Sequence, residues 1–175
     1  MPDEAELVVA AQAGSETAFT ALVERYQDRL YRFLLGRCAR TCDAEDVLQD
    51  TFVNAWRYIG SYDPRWRFST WLYRIALRNA AAHRPVTESL MDDPVDTAAD
   101  PLADCVAASE RRNLWLAART RLRPEVYTAL WLHYADDLPV RDVARVMGRS
   151  VPWVKVSLHR ARRQLAGELD SGEDG

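Results

Sequence analysis

The sequence predicts an all-α fold made of two small helical domains joined by a flexible acidic linker. Apolar residues recur every three or four positions along most of the chain, and no stretch alternates as a strand would. Residues 86–104 contain two prolines and no basic side chain, a composition typical of a linker. A chain of 175 residues has room for two small domains, and 48% apolar residues are enough to build their cores.

The first predicted domain, residues 1–85, opens with two long helices. One starts at Ser15 and runs for about six turns, with a core face of Phe19, Leu22, Val23, Tyr26, Leu30, Phe33 and Leu34. The next begins with Asp43 as its N-cap and ends near Gly60, because Asp is a favoured capping residue and acidic side chains suit the first turn. Its apolar stripe consists of Val47, Thr51, Phe52, Ala55 and Ile59.

A loop and a third helix complete this domain. Residues 60–68 contain a glycine and an Asp-Pro pair, which are typical of loops. Ser69 is the expected N-cap of the third helix, which should reach about His83 because Pro85 cannot continue it.

The second predicted domain, residues 105–169, begins with two helices. The first runs from near Cys105 to about Arg121, and the second starts at Pro124, which suits the first helical position. The apolar positions of this second helix and of the residues after it are Val126, Tyr127, Leu130, Trp131, Tyr134 and Leu138. We interpret His133, a lone histidine there, as structural.

Residues 139–165 give the strongest functional signal, because they predict a helix-turn-helix. A short helix with Val140, Val143, Ala144 and Met147 inward is followed by the turn residues Gly148, Arg149 and Ser150. A longer helix then places inward Val151, Val154, Leu158, Ala161 and Leu165. Two amphipathic helices joined by a three-residue turn with glycine can place the second helix in the major groove of DNA.

The outward face of that second helix has the chemistry of a DNA-reading surface. It holds Pro152, Val156, His159, Arg160 and Arg163, flanked by Trp153, Lys155 and Arg162. Cations can neutralise phosphates and reach guanine edges, and an exposed apolar group can contact a thymine methyl. Residues 111–169 carry a net charge of +7, although the whole chain has −3. The alternative interpretation is a solvated cationic helix on an all-helical core.

Aromatic residues crowd into residues 52–73, which contain eight of the 17 aromatic side chains. Arginines interleave with them and follow them, namely Arg57, Arg65, Arg67, Arg74 and Arg78. Aromatic rings beside cations can stack unpaired bases along a phosphate-binding groove. Core packing is an equally open interpretation, with Phe52 and Phe68 as its first candidates.

An acidic cluster marks the start of the second helix. Asp43, Glu45, Asp46 and Asp50 lie on or near one helix end, with Gln49 and Asn54 close by. Capping and solvation explain part of this cluster, and a partner-protein surface is the alternative. The spacing matches no metal site.

The three cysteines, Cys38, Cys42 and Cys105, are too few for a disulfide-stapled secreted domain and are expected to be reduced. Cys38 and Cys42 could share a helix face, which leaves a metal or redox role open. The sequence has no Gly-rich phosphate loop and no Ser-His-Asp order, so we predict no catalytic residue, no metal and no cofactor. An acidic N-terminus and the lack of a long apolar run predict a cytoplasmic protein without membrane insertion.

Together these segments resemble the extracytoplasmic-function (ECF) sigma factors, the two-domain form of bacterial RNA polymerase sigma subunits. The resemblance to sigma domain 2 lies in AFTALVERYQDRLYRFL, DAEDVLQDTFVNAW and FSTWLYRIALRNAAAHR. The resemblance to sigma domain 4 lies in LRPEVYTALWLHYADDLPVRDVARVMGRSVPWVKVSLHRARRQL. It implies a promoter-specificity subunit whose partners are core RNA polymerase, promoter DNA and an anti-sigma protein.

The resemblance also implies a role for each surface. Core polymerase would bind Asp43, Glu45, Asp46, Gln49, Asp50, Asn54 and Trp56. The single-stranded minus-ten element would be melted and held by Ser61, Tyr62, Asp63, Arg65, Trp66, Arg67, Phe68, Trp71, Arg74, Arg78 and Asn79. The duplex minus-35 element would be read by Ser150, Pro152, Trp153, Lys155, Val156, His159, Arg160, Arg162 and Arg163. The acidic linker would thread the polymerase cleft towards the RNA exit path, and residues 170–175 form an acidic tail.

Two departures from the family pattern limit these implications. Many members have a serine-arginine pair after the Lys155 position, whereas this chain has Val156 and Ser157, so the minus-35 sequence does not follow by analogy. His83 stands near a position where the family commonly has an aspartate, just before the break at Pro85. Two other classes stay open: a free-standing helix-turn-helix regulator, and a helical metal or redox enzyme.

Overall fold

A computed structural model describes residues 2–38, 40–83 and 106–171. Within these residues the chain forms eight α-helices and one 3₁₀ turn, with no strand, and it divides into two compact units. The all-α prediction is therefore confirmed for the described residues. The predicted linker, residues 86–104, lies outside them, whereas the first two residues of the predicted tail belong to the last helix.

The first unit contains four helices and the 3₁₀ turn, in the order α1 (Glu4–Gln12), α2 (Glu16–Arg37), α3 (Thr41–Tyr58), the 3₁₀ turn (Ile59–Ser61) and α4 (Phe68–Ala82). Helix α2 begins after its predicted N-cap, because the Ser15 hydroxyl accepts a hydrogen bond from the Ala18 amide at 3.2 Å. Its predicted core face is buried at Leu22, Tyr26, Leu30, Phe33 and Leu34 and half-buried at Phe19 and Val23.

Helix α1 was not predicted, although its start has a recognisable signal. The side chain of Asp3 accepts from the Glu4 amide at 2.7 Å and also from the Glu6 amide, and the Glu6 carboxylate accepts in return from the Asp3 amide at 3.2 Å. The two reciprocal bonds between Asp3 and Glu6 form a capping box. Helix α1 buries Leu7, Val8 and Ala11. An Asp-x-x-Glu pattern before an apolar run could have revealed it.

Helix α3 begins at Thr41, two residues before Asp43, and its N-cap is Arg40 and not Asp43. The Asp43 carboxylate lies inside the first turn, where both of its oxygens accept hydrogen bonds from the Arg40 guanidinium at 3.0 Å. It is buried and engaged by that arginine, and so it does not cap the helix. Of the predicted stripe, Val47, Thr51, Ala55 and Ile59 are buried, and Phe52 is half-buried.

Helix α4 begins at Phe68, so Ser69 is in its first turn and is not its N-cap. Phe68 is only 2% exposed, and its ring packs 5.6 Å from those of Tyr26 and Tyr62. This packing draws the start of the helix into the core one residue ahead of the serine. The helix ends at Ala82 with His83 as its C-cap, as predicted to within a residue.

The second unit contains α5 (Val106–Arg121), α6 (Pro124–Tyr134), α7 (Val140–Met147) and α8 (Val151–Ser171). Its core includes an aromatic group in which Trp115 of α5 lies 4.8 Å from Trp131 and 6.1 Å from Tyr127, both on α6. Nδ1 of His133 lies 2.8 Å from the Leu138 carbonyl, which agrees with the structural role predicted for this residue.

Helices α7 and α8 form the predicted helix-turn-helix. Gly148 ends α7 with φ 64°, a left-handed conformation that glycine adopts without strain. The inward positions Val143, Ala144, Val154, Leu158, Ala161 and Leu165 are buried as predicted. Val151 was also expected to face inward, but it lies in the first turn of α8 and is 37% exposed. Ser157 and Val146 are buried instead.

Candidate nucleic-acid interface

The outward face of α8 has the arrangement predicted from the sequence. The five central residues are all exposed, namely Pro152, Val156, His159, Arg160 and Arg163. The flanking cations Lys155 and Arg162 are also exposed, whereas Trp153 is half-buried. Val156 leaves 48% of its surface in solvent although it is apolar. This helix therefore presents an apolar group among cations, with the turn of the helix-turn-helix at one end.

The turn before α8 is held by three contacts. Ser150 caps the helix, because its hydroxyl accepts from the Trp153 amide at 3.2 Å. The guanidinium of Arg149 lies 5.0 Å from the centre of the Trp153 ring, a cation–π distance. It also donates to the Glu125 carboxylate of α6 at 2.7 Å. The N-terminal end of α8 is thus tied to α6 through one arginine.

Arg162, farther along α8, has a tyrosine partner. Its Nη1 donates to the Tyr134 hydroxyl at 2.8 Å, and Tyr134 is the last residue of α6. This hydrogen bond orients the arginine towards the end of α6.

The loop that precedes α4 lies in the first unit, and its residues differ in exposure. Arg65 and Arg67 are exposed, and Trp66 and Asp63 are half-buried. Arg65 donates to Asp63 at 2.6 Å, and these hydrogen bonds lower the pKa of the Asp63 carboxyl. This pair holds an acidic and a basic side chain together at the loop surface.

Tyr62 and Phe68 were both placed on the minus-ten surface, with core packing left open for Phe68, and the structure buries both rings. Tyr62 is 8% exposed, its hydroxyl donates to the Trp66 carbonyl, and its ring packs against Phe68 and Trp71. The rings of Tyr62 and Phe68 therefore belong to the core beneath the loop. Trp71 is half-buried at the edge of this cluster.

The exposed basic residues of α4 lie beyond this cluster. Arg74 and Arg78 are exposed, and Asn79 is half-buried. The Asn79 side chain accepts from Asn54 at 3.2 Å and donates to the Thr51 hydroxyl at 3.3 Å. Asn54 was expected on the outer surface of α3, but its amide lies between α3 and α4. These bonds join the two helices and fix the amide of Asn79.

The acidic surface of α3 is smaller than the sequence suggested. Glu45, Asp46, Gln49 and Asp50 are exposed, whereas Asp43 is buried against Arg40. Nδ1 of His83 lies 3.9 Å from the Asp50 carboxylate. Trp56 is 37% exposed and packs 5.0 Å from Phe19. An acidic face and a partly exposed tryptophan therefore occupy one helix.

The structure does not bring Cys38 and Cys42 onto one helix. Cys38 is the C-cap of α2, and Cys42 lies in the first turn of α3. Burial, and then the nearby Asp43 carboxylate, raise the pKa of the Cys38 thiol to about 11. No group of three or more metal-binding side chains occurs within residues 2–38, 40–83 and 106–171.

Comparison with known proteins decides the family. Models of sigma-70 region 2 and of sigma-70 region 4 match residues 22–84 and 113–165. The ECF RNA polymerase sigma factor SigM of Mycobacterium tuberculosis is 33% identical, over 97% of this chain and 87% of SigM. The chain belongs to the ECF sigma factors of the sigma-70 family.

Other relatives of this sigma factor agree in length to different degrees. BldN of Streptomyces coelicolor is 35% identical over 92% of the chain, which spans only 64% of BldN. SigW of Bacillus subtilis is 28% identical over 89% of the chain and 91% of SigW. Both are named ECF RNA polymerase sigma factors.

Two solved structures share the fold. CnrH, in complex with the cytosolic domain of CnrY, matches with a TM-score of 0.68 and 26% identity over 94% of this chain and 96% of CnrH. The sigma factor RpoE of Bartonella quintana, in complex with the anti-sigma factor NepR, gives a TM-score of 0.65 at 20% identity over 87% of this chain and 96% of RpoE. In the part of this sigma factor that the structure describes, every helix is too short or too polar to cross a membrane.

Proposed function

We propose that this sigma factor binds core RNA polymerase and directs promoter-specific transcription initiation. The exposed face of α8 carries the proposal, because it places Lys155, Arg160 and Arg163 around an exposed Val156 directly after a helix-turn-helix turn. This face suits contacts with phosphates and base edges in a major groove. Family membership supplies the polymerase as the partner that brings it to a promoter.

The two DNA elements are divided between the two units. Exposed residues of α8 read the duplex minus-35 element. The loop residues Ser61, Asp63, Arg65, Trp66 and Arg67, with Trp71, Arg74, Arg78 and Asn79 of α4, contact the minus-ten element as its strands separate. This assignment is supported by the exposure of the arginines and by the half-buried Trp66 and Trp71, whose rings can cover an unpaired base. Tyr62 and Phe68 support this surface from the core.

Core polymerase binds the acidic face of α3. Glu45, Asp46, Gln49 and Asp50 are exposed there, and Trp56 adds an apolar contact beside Phe19. Exposed carboxylates steer association with a basic partner surface and make it sensitive to salt. Asp43 and Asn54 act within the fold, through Arg40 and Asn79.

The protein has no catalytic activity of its own in this proposal, and it acts in the cytoplasm, where its polymerase is. An anti-sigma protein is a further partner. The complex of RpoE with NepR supports such a partner, since that protein shares the fold.

Run-off transcription tests the proposal. Core polymerase is mixed with the purified protein and with genomic promoter fragments, and start sites are mapped with and without it. We expect start sites that depend on the protein, together with weak duplex binding by the protein alone. Tight binding to specific duplex DNA in the absence of polymerase, without new start sites, would instead identify a free-standing regulator. Metal-dependent turnover by the isolated protein would identify an enzyme.

A further inference from the structure

Helix α1 is fastened to α2 near its first residue. The Tyr26 hydroxyl of α2 donates to the Glu4 carboxylate at 2.5 Å, and Nη1 of Arg25 lies 3.8 Å from the same carboxylate. Burial, and then the bond to Glu4, raise the pKa of Tyr26, so its phenol stays protonated as the donor. Leu7, Val8 and Ala11 bury the inner side of α1. The helix is therefore a fixed support.

Gln12, the last residue of α1, reaches the segment that leads into residues 62–67, the loop that precedes α4. Nε2 of Gln12 donates to the Ile59 carbonyl and to the Tyr62 carbonyl, each at 3.0 Å. The two carbonyls stand at the two ends of the 3₁₀ turn, and the Tyr62 amide also donates to the Ile59 carbonyl at 3.1 Å. Both hydrogens of one amide thus set where the chain leaves the turn and enters residues 62–67.

Packing alone does not hold this loop against α1. An open pocket of about 220 Å³ lies between them, lined by Glu4 and Val8 from α1 and by Pro64, Trp66 and Arg67 from the loop. A gap removes the close contacts that normally fix one segment against another. Together with the packing of the Tyr62 ring, directed hydrogen bonds at the base of the loop hold it in place, and Gln12 supplies two of them from outside the loop.

We propose that Gln12 is a positioning residue for strand opening. It touches no DNA, but through the Ile59 and Tyr62 carbonyls it fixes the loop whose Arg65, Trp66 and Arg67 contact the minus-ten element. This inference rests on the proposed function, and it makes α1 part of the melting apparatus.

The test compares reconstituted holoenzymes on a duplex promoter and on the same promoter already mismatched across the minus-ten region. Gln12→Glu replaces the amide donor by an acceptor that faces two carbonyls, and Gln12→Ala removes it without adding charge. Gln12→Lys restores an N–H donor of similar reach. Gln27→Glu on the exposed side of α2 makes the same chemical change away from the loop and is the matched control.

We expect Gln12→Glu and Gln12→Ala to slow run-off transcription from the duplex roughly 5- to 100-fold, the effect of losing two net hydrogen bonds. Transcription of both variants from the mismatched template should stay within about twofold of wild type. A premelted strand no longer needs the loop to open it. Gln12→Lys should recover most of the duplex activity, and Gln27→Glu should match wild type on both templates.

Equal losses on both templates, with no rescue by lysine, would overturn the inference, since that pattern reports a folding defect. If the Gln12→Glu protein unfolds at the assay temperature, the comparison of the two templates is made with Gln12→Ala. A second contrary result is that the wild-type holoenzyme opens promoters while Gln12→Glu and Gln12→Ala behave like the Gln27→Glu control. That result would overturn this inference and leave the proposed function standing. A wild-type protein that starts no transcription on either template would overturn the proposed function as well.

Discussion

Arg149 donates a hydrogen bond to Glu125 at 2.7 Å, and this pair joins the helix-turn-helix turn to the start of α6. The two side chains are 43% and 55% exposed, so the pair contributes little to stability. The pair does, however, engage the guanidinium of Arg149, which lies next to the proposed DNA-reading helix α8. A DNA phosphate at this turn would compete with the Glu125 carboxylate for the same guanidinium.

Replacing Glu125 by glutamine should therefore free Arg149 for DNA. We expect holoenzyme affinity to rise on all promoters alike, and the salt dependence to steepen by about one unit because one more phosphate contact forms. Fluorescence anisotropy on promoter fragments across a salt series measures both. Asp137→Asn is the control, since it removes one charge from an exposed loop of the same unit. A loss of affinity would show that the pair positions the turn and does not withhold a cation.

Helix α8 should divide its DNA contacts between bases and phosphates according to position along the helix. Val156 and His159 lie in the middle of its exposed face. Val156→Ala and His159→Ala should each weaken the free energy of promoter binding by about 1 to 3 kcal/mol and relax the sequence preference at one or two adjacent base pairs. Arg163 lies a turn farther along, and Arg163→Ala should weaken binding to all promoters equally. Selection from a library randomised at the minus-35 element reads these effects. An altered selected sequence with Arg163→Ala alone would contradict this docking geometry.

Helix periodicity was enough to predict most of the fold, because burial repeats every three or four residues along α2, α3 and α8. Helix ends were less predictable, since they depend on contacts made in three dimensions. Asp43 has the chemistry of an N-cap, but Arg40 engages its carboxylate. Ser69 also has the chemistry of an N-cap, but Phe68 is buried in the core and is the first residue of α4.

The two candidate DNA-binding surfaces also differed in how well the sequence predicted them. The exposed face of α8 could be read from a helical wheel, because it needs only the period of one helix. The loop beside α4 could not, since nothing in residues 60–68 reveals that Tyr62 turns into the core or that Gln12 bonds to its carbonyl. A glutamine at the end of a short helix carries no local signal for a partner about 50 residues away.

Charge reversal on α3 should weaken polymerase binding without unfolding the helix. Asp46 and Asp50 are exposed, so lysine at both positions leaves the apolar stripe intact. The loss should shrink at high salt, because rim charges act mainly on the encounter rate and are screened. Co-purification with core polymerase across a salt series measures this, with circular dichroism for helix content. Glu24→Lys with Asp28→Lys on α2 makes the same charge change elsewhere, and equal behaviour of the two double variants would remove α3 from the interface.

Trp66 and Trp71 should differ when each is replaced by alanine. Trp66→Ala should slow opening of a duplex promoter about 5- to 150-fold, the worth of one stacked base, and should be rescued on a premelted template. Trp71 also packs 5.4 Å from Tyr62 and 5.6 Å from Phe68, so Trp71→Ala should lower the melting temperature as well. Thermal melting and transcription from the two templates separate these effects. A defect of Trp66→Ala that persists on the premelted template would assign this residue to the core.

The Cys38 thiol should resist alkylation. Burial and Asp43 raise its pKa to about 11, so at pH 8 only about 0.1% is thiolate, against about a quarter of an ordinary cysteine with a pKa near 8.5. Because the folded pKa lies above the unfolded one, the stability from this group is complete below about pH 8.5 and is lost as the pH rises towards 11. Iodoacetamide at pH 8, followed by peptide-resolved mass spectrometry, should therefore label the exposed Cys42 well before Cys38. In urea, where the fold is lost, Cys38 should react as fast as Cys42 and so provide the internal control. Equal labelling of the two in the folded protein would contradict the protected thiol and would restore the redox interpretation of this cysteine pair.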